Sequence, residues 1–313
     1  MNSGEPRPRR AAVALLLFCA LLWLAGSGCS GAVPKPVPPA KERAGAWNRR
    51  GLAAEARGDR NGALAAFREE LKINRSIEDT DGSAVALVNL ARLHRLKGEL
   101  PSAKERIDSA LPLVPPESPL FPETAFEQGK IALAAGDVPA AKVWAEKAVL
   151  ASKGASAGRM LNLLARILFL DGKADEARVR AGDALEENRK AGARGEEANS
   201  LRLLGDIAAA RADRKMAEER YLDALTIDKE TAESMKIAAD LRALGAVAGA
   251  RGDTARALDF YARAVEVSRN GGDPKEAAAA LLEIARLCER TGSPEKAKSA
   301  LAEREELLRA NDK

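Results

Sequence analysis

Histidine is nearly absent from this sequence: there is one in 313 residues, beside only three cysteines. That leaves almost no material for a His-dependent catalytic triad or a zinc cage. Aromatic residues make up 4%, which argues against a β-sandwich, whose strands favour aromatic and β-branched side chains. No Walker A, HExxH or CxxC sequence occurs, and no nucleophile–base pair can be assembled. An enzyme is therefore not expected, and neither a cofactor nor a metal is implied. Charge imbalance is missing as well, since 50 Lys and Arg face 46 Asp and Glu. What is abundant is alanine, about a fifth of the chain, with Leu, Arg and Glu beside it. This composition favours helix throughout.

The first residues read as an address. Arg7, Arg9 and Arg10 precede an uncharged run, AAVALLLFCALLWLA, and then Gly26-Ser27-Gly28-Cys29. A basic start, an apolar core and small residues at its end make a secretory signal over residues 1–28. Fifteen residues of helix span roughly 22 Å, short of a ~30 Å bilayer core. Ser27, Gly28 and Cys29 resemble the end of the bacterial lipoprotein lipobox, with Gly26 where that motif usually has Leu. The resemblance implies cleavage before Cys29 and lipidation of its thiol; ordinary cleavage and an uncleaved anchor are the alternatives. Ser30 rather than Asp follows Cys29. By the enterobacterial sorting rule, that implies an outer-membrane lipoprotein facing the periplasm of the cell envelope. Loss of residues 1–28 removes Arg7, Arg9, Arg10 and Glu5 and lowers the net charge from +4 to +2. A near-neutral chain gives no support for nucleic-acid binding. Residues 29–43 carry Pro34, Pro36, Pro38 and Pro39 and read as an extended tether.

Beyond residue 44 the chain repeats. Small anchors at Gly51, Ala91, Gly129, Ala165, Gly205, Gly245 and Ala285 are spaced 40, 38, 36, 40, 40 and 40 apart. Seven residues after them stand Gly58, Gly98, Gly136, Gly172, Ala212, Gly252 and Gly292. Twelve after them stand Ala63, Ala103, Ala141, Ala177, Ala217, Ala257 and Ala297. Self-similarity at a fixed period signals a solenoid. Each unit reads as a helical hairpin: helix A, a Gly turn, then helix B capped by Asp59, Asp137, Asp213, Asp253 or Ser293. The anchor and the later Ala are expected to be small because helices A and B approach there. The units fall near 44–83, 84–121, 122–157, 158–197, 198–237, 238–277 and 278–313. Leu111–Pro122, with five prolines, reads as a long inter-repeat loop or a hinge.

Trp47, Gly51, Gly58, Ala63 and Phe67 in the first unit, and Gly245, Gly252, Ala257, Tyr261 and Ala264 in the sixth, resemble the tetratricopeptide repeat. The resemblance covers residues 44–313 and implies an all-α, right-handed α-solenoid of about seven hairpins. The period near 40, rather than 34, matches the lengthened units of kinesin light chains. In that architecture helix A lines the concave surface. Positions six before, three before, one after and four after the anchor share that face. They give Asn48, Arg92, Arg95, Arg159, Asn162, Arg166, Asn199, Arg202, Asp206, Arg242 and Arg286, with Lys130 and Phe169 among them and Asn89 at the border. Arg takes carboxylates bidentately, and Asn pairs with both donors and acceptors of an extended backbone.

The leading expectation is thus a membrane-anchored adaptor that binds an envelope protein or peptide through an Arg/Asn groove. Simple solvation of a helix face is the plainer account of the same residues. A second reading is an oligomerisation or spacing module, a homo-oligomer stacked through an apolar strip on the last helix, at Ala297, Ala300, Leu301, Leu307 and Leu308. The third uses Cys288 as a reactive thiol. Both Cys288 and His94 lie three after their anchors, where burial in the core is expected.

Overall fold

The computed structural model describes residues 38–311. Residues 1–37, which hold the signal segment, Cys29 and most of the tether, lie outside the described residues. The described chain is an all-α solenoid of fourteen helices with no strand. Seven hairpins follow one another. They are α1 (Pro39–Ala56) with α2 (Arg60–Ser76), and α3 (Thr80–Leu96) with α4 (Leu100–Ala110). Next come α5 (Phe121–Ala134) with α6 (Val138–Ala151), and α7 (Ala157–Leu170) with α8 (Ala174–Lys190). Then α9 (Arg194–Ala210) pairs with α10 (Arg214–Glu230), and α11 (Ser234–Ala250) with α12 (Thr254–Asn270). Last are α13 (Pro274–Arg290) and α14 (Pro294–Asn311).

The 40-residue period is two 20-residue periods. Helices α2, α3 and α8 through α13 are each 17 residues long. Three-residue turns separate them, and every such turn places one residue at positive φ. The turn inside each hairpin uses the expected Gly column, except that Ala212 stands at φ 60. The turns between hairpins use Glu78, Gly192, Ala232 and Gly272 in the same way. That second column was hidden in the sequence because two of its four members carry side chains. A left-handed Ala costs about 1–2 kcal/mol, partly offset by the lower entropy of its unfolded chain. Ala212→Gly is therefore expected to raise stability by roughly 0.5–1 kcal/mol, read as a higher urea midpoint. An unchanged or lower midpoint would contradict this account of the turn.

Caps follow the same doubled rhythm. Asp59, Asp137, Asp213 and Asp253 accept backbone N–H bonds at the start of B helices, as expected. Asp79 and Asp273 do the same for the A helices α3 and α13.

The anchor column has a more specific cause than close approach alone. A Cβ at Gly51 would stand 2.4 Å from the Phe67 ring, and one at Gly205 would stand 2.7 Å from Tyr221. At Gly245 the distance to Tyr261 would be 2.6 Å. Where the anchor is Ala91, Ala165 or Ala285, the residue sixteen later is Ile107, Ala181 or Leu301. Every ring thus has glycine opposite it, and alanine stands opposite aliphatic side chains; Gly129 is the exception, with Ala145 sixteen later. The Ala column twelve after the anchor is fully buried from Ala63 to Ala257.

Three expectations are refined. Pro39 is the first residue of α1, where its missing N–H leaves nothing unpaired, so residues 39–43 are helix rather than extended tether. Ala44 is buried, and Lys41 pairs with Asp79 at 2.8 Å, which fastens this start to α3. The Leu111–Pro122 segment makes a 3-10 turn, and its Val114 and Phe121 are buried in the core of units three and four. The last helix does not expose a continuous apolar strip. Ala297 and Ala300 are buried, and Leu301 and Leu307 pack against the core. Where earlier B helices carry Ala224-Leu225 or Ala264-Val265 to seat the next hairpin, α14 carries Arg304-Glu305. That is the polar end a repeat array needs to stop growing.

Candidate functional site

The A helices of neighbouring units pack directly on one another: α3 on α5, α5 on α7, α7 on α9 and α11 on α13. They form the inner wall of the solenoid, so the side chains six before, three before, one after and four after each anchor line its concave face. The expected arginines lie there, and every one of them meets a carboxylate. Arg92 grips Glu55 of the preceding unit with two bonds at 3.0 and 2.7 Å. Arg95 reaches Glu127 at 2.6 Å, and Arg159 pairs with Glu123. Arg166 lies 3.4 Å from Asp206, whose carboxylate also accepts the Tyr221 hydroxyl at 2.8 Å. Arg242 meets Glu276 at 2.6 Å. Arg286 pairs only within its own helix, with Glu283 at 2.7 Å. Apart from Arg286, each pair joins two successive units, so this ladder ties neighbouring A helices together.

Arg202 holds two carboxylates rather than one. It donates to Asp240 at 2.6 Å and to Asp228, and both carboxylates are wholly buried. Burial pushes the Asp240 carboxyl above the usual carboxylate range, against the pull of Arg202 and with Asp228 adding to the rise.

The asparagines are committed too. Asn48 donates to both oxygens of Glu70 at 3.0 Å. Asn162 donates to the Glu196 carbonyl at 3.0 Å and accepts from the Ser200 hydroxyl at 2.7 Å. Asn199 donates to Glu196 at 3.2 Å and accepts from Arg202 at 2.9 Å. Asn89 is buried beside the Leu111–Pro122 segment. The expectation that these carboxamides read a peptide backbone meets a physical obstacle: at Asn162 and Asn199 both ends are already bonded.

A groove of about 310 Å³ opens across α5, α7 and α9. It brings together Arg159, Asn162, Arg166, Asn199 and Arg202 of the expected set, with Leu163, Leu203 and Glu196. Asn48, Asn89, Arg92, Arg95, Asp206, Arg242 and Arg286 do not line it. Lys130, read from the sequence as facing inward, lines it too, and so does Phe126, which the sequence did not single out. Both occupy positions already read as facing inward, three before and one after Gly129. Phe126 was passed over because the search there was for polar groups.

Lys130 differs from every arginine of the ladder. Among the described residues its ammonium makes no hydrogen bond or ion pair, and the Glu127 and Glu123 carboxylates favour its charge only from beyond bonding distance. It lies 5.1 Å from the centroid of the Phe126 ring, and the Arg159 guanidinium lies 4.7 Å from the same ring. Burial first, then the charge of Arg95, hold its pKa below the usual lysine range. Among the described residues, no group of three or more His, Cys, Asp or Glu is placed to hold a metal ion. Cys288 is 2% exposed in the core of units five to seven, and His94 is buried with its Nδ1 2.6 Å from Glu99.

These features define a TPR-like fold with a mixed ionic and apolar concave groove. The Rap protein complexed with Competence and Sporulation Factor superposes with a TM-score of 0.66 at 14% identity, over 85% of this chain and 76% of that one. BtubC (BKLC) from P. vanneervenii gives 0.55 at 19% identity, covering 75% of this chain and 92% of its own. The pilF protein of Pseudomonas aeruginosa gives 0.53 at 17% identity, over 71% and 90%. No family model matches this sequence, and no curated protein matches it.

Proposed function

We propose that this protein is an adaptor or scaffold that captures an acidic, extended segment of a partner protein in the groove between α5, α7 and α9. The observation that carries the reading is Lys130, a half-buried ammonium with no ion-pair or hydrogen-bond partner among the described residues, in a groove whose arginines are all paired. A desolvated cation beside apolar Phe126, Leu163 and Leu203 gains more from an incoming anion than a solvated one does. The Arg ladder plays a different part here: it fixes the spacing of the A helices and so the shape of the groove. In the same reading the chain is tethered through a lipid on Cys29, which places the solenoid at the periplasmic side of the outer membrane. The polar end of α14 favours this adaptor over end-to-end stacking.

The test is photo-cross-linking in the native envelope. A photoreactive residue in place of Arg166, which is exposed in the groove, is expected to trap one partner. The same residue in place of Val179, exposed on α8, is not. Lys130→Glu should remove the Arg166-position adduct while the purified variant keeps its helix content. An adduct that persists in Lys130→Glu, or none at all, would count against the groove. Palmitate label that survives Cys29→Ala would count against the anchor.

A further inference from the structure

The geometry points to a specific recognition rule for this groove: it selects one side-chain carboxylate on Lys130 with an apolar neighbour against Leu163 and Leu203, and it does not read the partner's backbone. This rests on the proposed peptide-binding role of the groove and says which chemistry the groove selects.

Three observations carry it. First, the ionic ladder is internally matched at every cation but one. Arg159 has Glu123, Arg166 has Asp206 and Arg202 has two aspartates, whereas Lys130 has no carboxylate. A single added anion pairs with Lys130; a second would have to break an existing inter-repeat pair and would meet Glu196, which lines the groove without a cation partner among the described residues. The groove is therefore suited to one negative charge rather than an acidic run.

Second, the carboxamides that would read a backbone are occupied. Asn162 is held between Glu196 and Ser200, and Asn199 between Glu196 and Arg202. Drawing either out would leave buried or half-buried polar atoms unpaired, which costs about as much as the new bond gains.

Third, the neighbourhood of Lys130 is arranged for an anion. Lys130 and Arg159 both approach the Phe126 ring, at 5.1 and 4.7 Å from its centroid, so two positive groups share one aromatic neighbour. Arg95 and Arg159 disfavour the Lys130 charge while Glu127 and Glu123 favour it, and an anion that pairs with the ammonium adds to the favourable side. Leu163 and Leu203 then offer apolar area beside the ion pair, which a neighbouring aliphatic or aromatic side chain can cover.

The experiment is selection of a display library of random peptides on the purified full chain, repeated on Lys130→Met. The wild type is expected to enrich peptides with a single Asp or Glu next to Leu, Ile, Val or Phe. In amidated synthetic copies, Glu→Gln should weaken binding by about tenfold or more, and the same change should have little effect on Lys130→Met. Lys130→Arg should retain the preference for the acid. Enrichment of apolar peptides without an acid, or an acid preference that survives Lys130→Met, overturns the rule while leaving a binding groove. Binding that needs a free C-terminal carboxylate instead of the side chain also overturns it. No enrichment on the wild type overturns the groove reading itself. Thermal unfolding of each variant verifies that the solenoid is intact.

Discussion

Replacing Arg202 by Met is expected to destabilise the solenoid by about 3–5 kcal/mol, because it strands two buried carboxylates at once. The Arg202 side chain is mostly buried and is the sole cation bonded to Asp228 and Asp240, both wholly buried. Breaking a buried pair leaves charge with neither water nor a partner. Here it leaves two carboxylates side by side, and like charges that close cannot both stay ionised. One Asp228 oxygen already lacks a bonding partner, so nothing nearby can take over.

The sign of the pH dependence follows. Burial already raises the Asp240 carboxyl, and loss of Arg202 raises it further. A group whose folded pKa is raised gives its full stabilisation below its unfolded pKa and loses it as pH rises through the folded value. The deficit of Arg202→Met should therefore be larger at about pH 8 than at about pH 5. Adding Asp240→Asn to Arg202→Met should recover much of the loss, since one of the two stranded charges is gone. Urea unfolding followed by circular dichroism measures all three. A deficit below about 1 kcal/mol, the range of an exposed pair, would sink this account. The result also bears on function. Charge reversal at Arg202 would abolish binding by loosening units five and six, whereas Lys130 holds no internal pair and reports on binding itself.

That distinction marks the limit of what the sequence made legible. The columns at the anchor, seven later and twelve later were readable because steric demand leaves only Gly or Ala at each place. The same demand gave the hairpins, their boundaries and the inward face of helix A. The partners of the inward arginines were not readable. Glu55, Glu123, Glu127, Asp240 and Glu276 lie at five different distances from their anchors, so no column aligns them. Each pair bridges two units, and its register depends on how far one A helix slides along the next. The 17-residue helices α8 to α13 and the 14-residue helices α5, α6 and α7 set different slides. An acid opposite each Arg was therefore invisible, and an array of clamps read as an array of free donors. Lys130 stood in the right column but looked like one cation among many until the others were seen to be paired.

One oddity was legible in the column nineteen after the anchor, which reads Ala110, Ala148, Ala184, Ala224 and Ala264 through the middle of the array but Glu70 in the first unit. That position seats the following A helix, so Glu70 is forced inside, where it is 3% exposed. Its only side-chain partner among the described residues is Asn48, a neutral donor. Burial pushes the Glu70 carboxyl up to about 7, with the Asn48 bonds pulling the other way. A folded pKa above the unfolded value near 4.5 means that the folded state holds its proton more tightly. The wild type should thus lose stability between about pH 5 and pH 8, with this one group contributing roughly 3 kcal/mol. Glu70→Gln keeps an acceptor for Asn48 and has no charge to bury. It is expected to match the wild type near pH 4.5 and to exceed it by roughly 3 kcal/mol at about pH 8. Unfolding midpoints of both proteins across that range decide the matter. A gap between them that does not widen with pH, or a Gln variant weaker at about pH 8, would show that Glu70 is ionised and solvated in the folded chain.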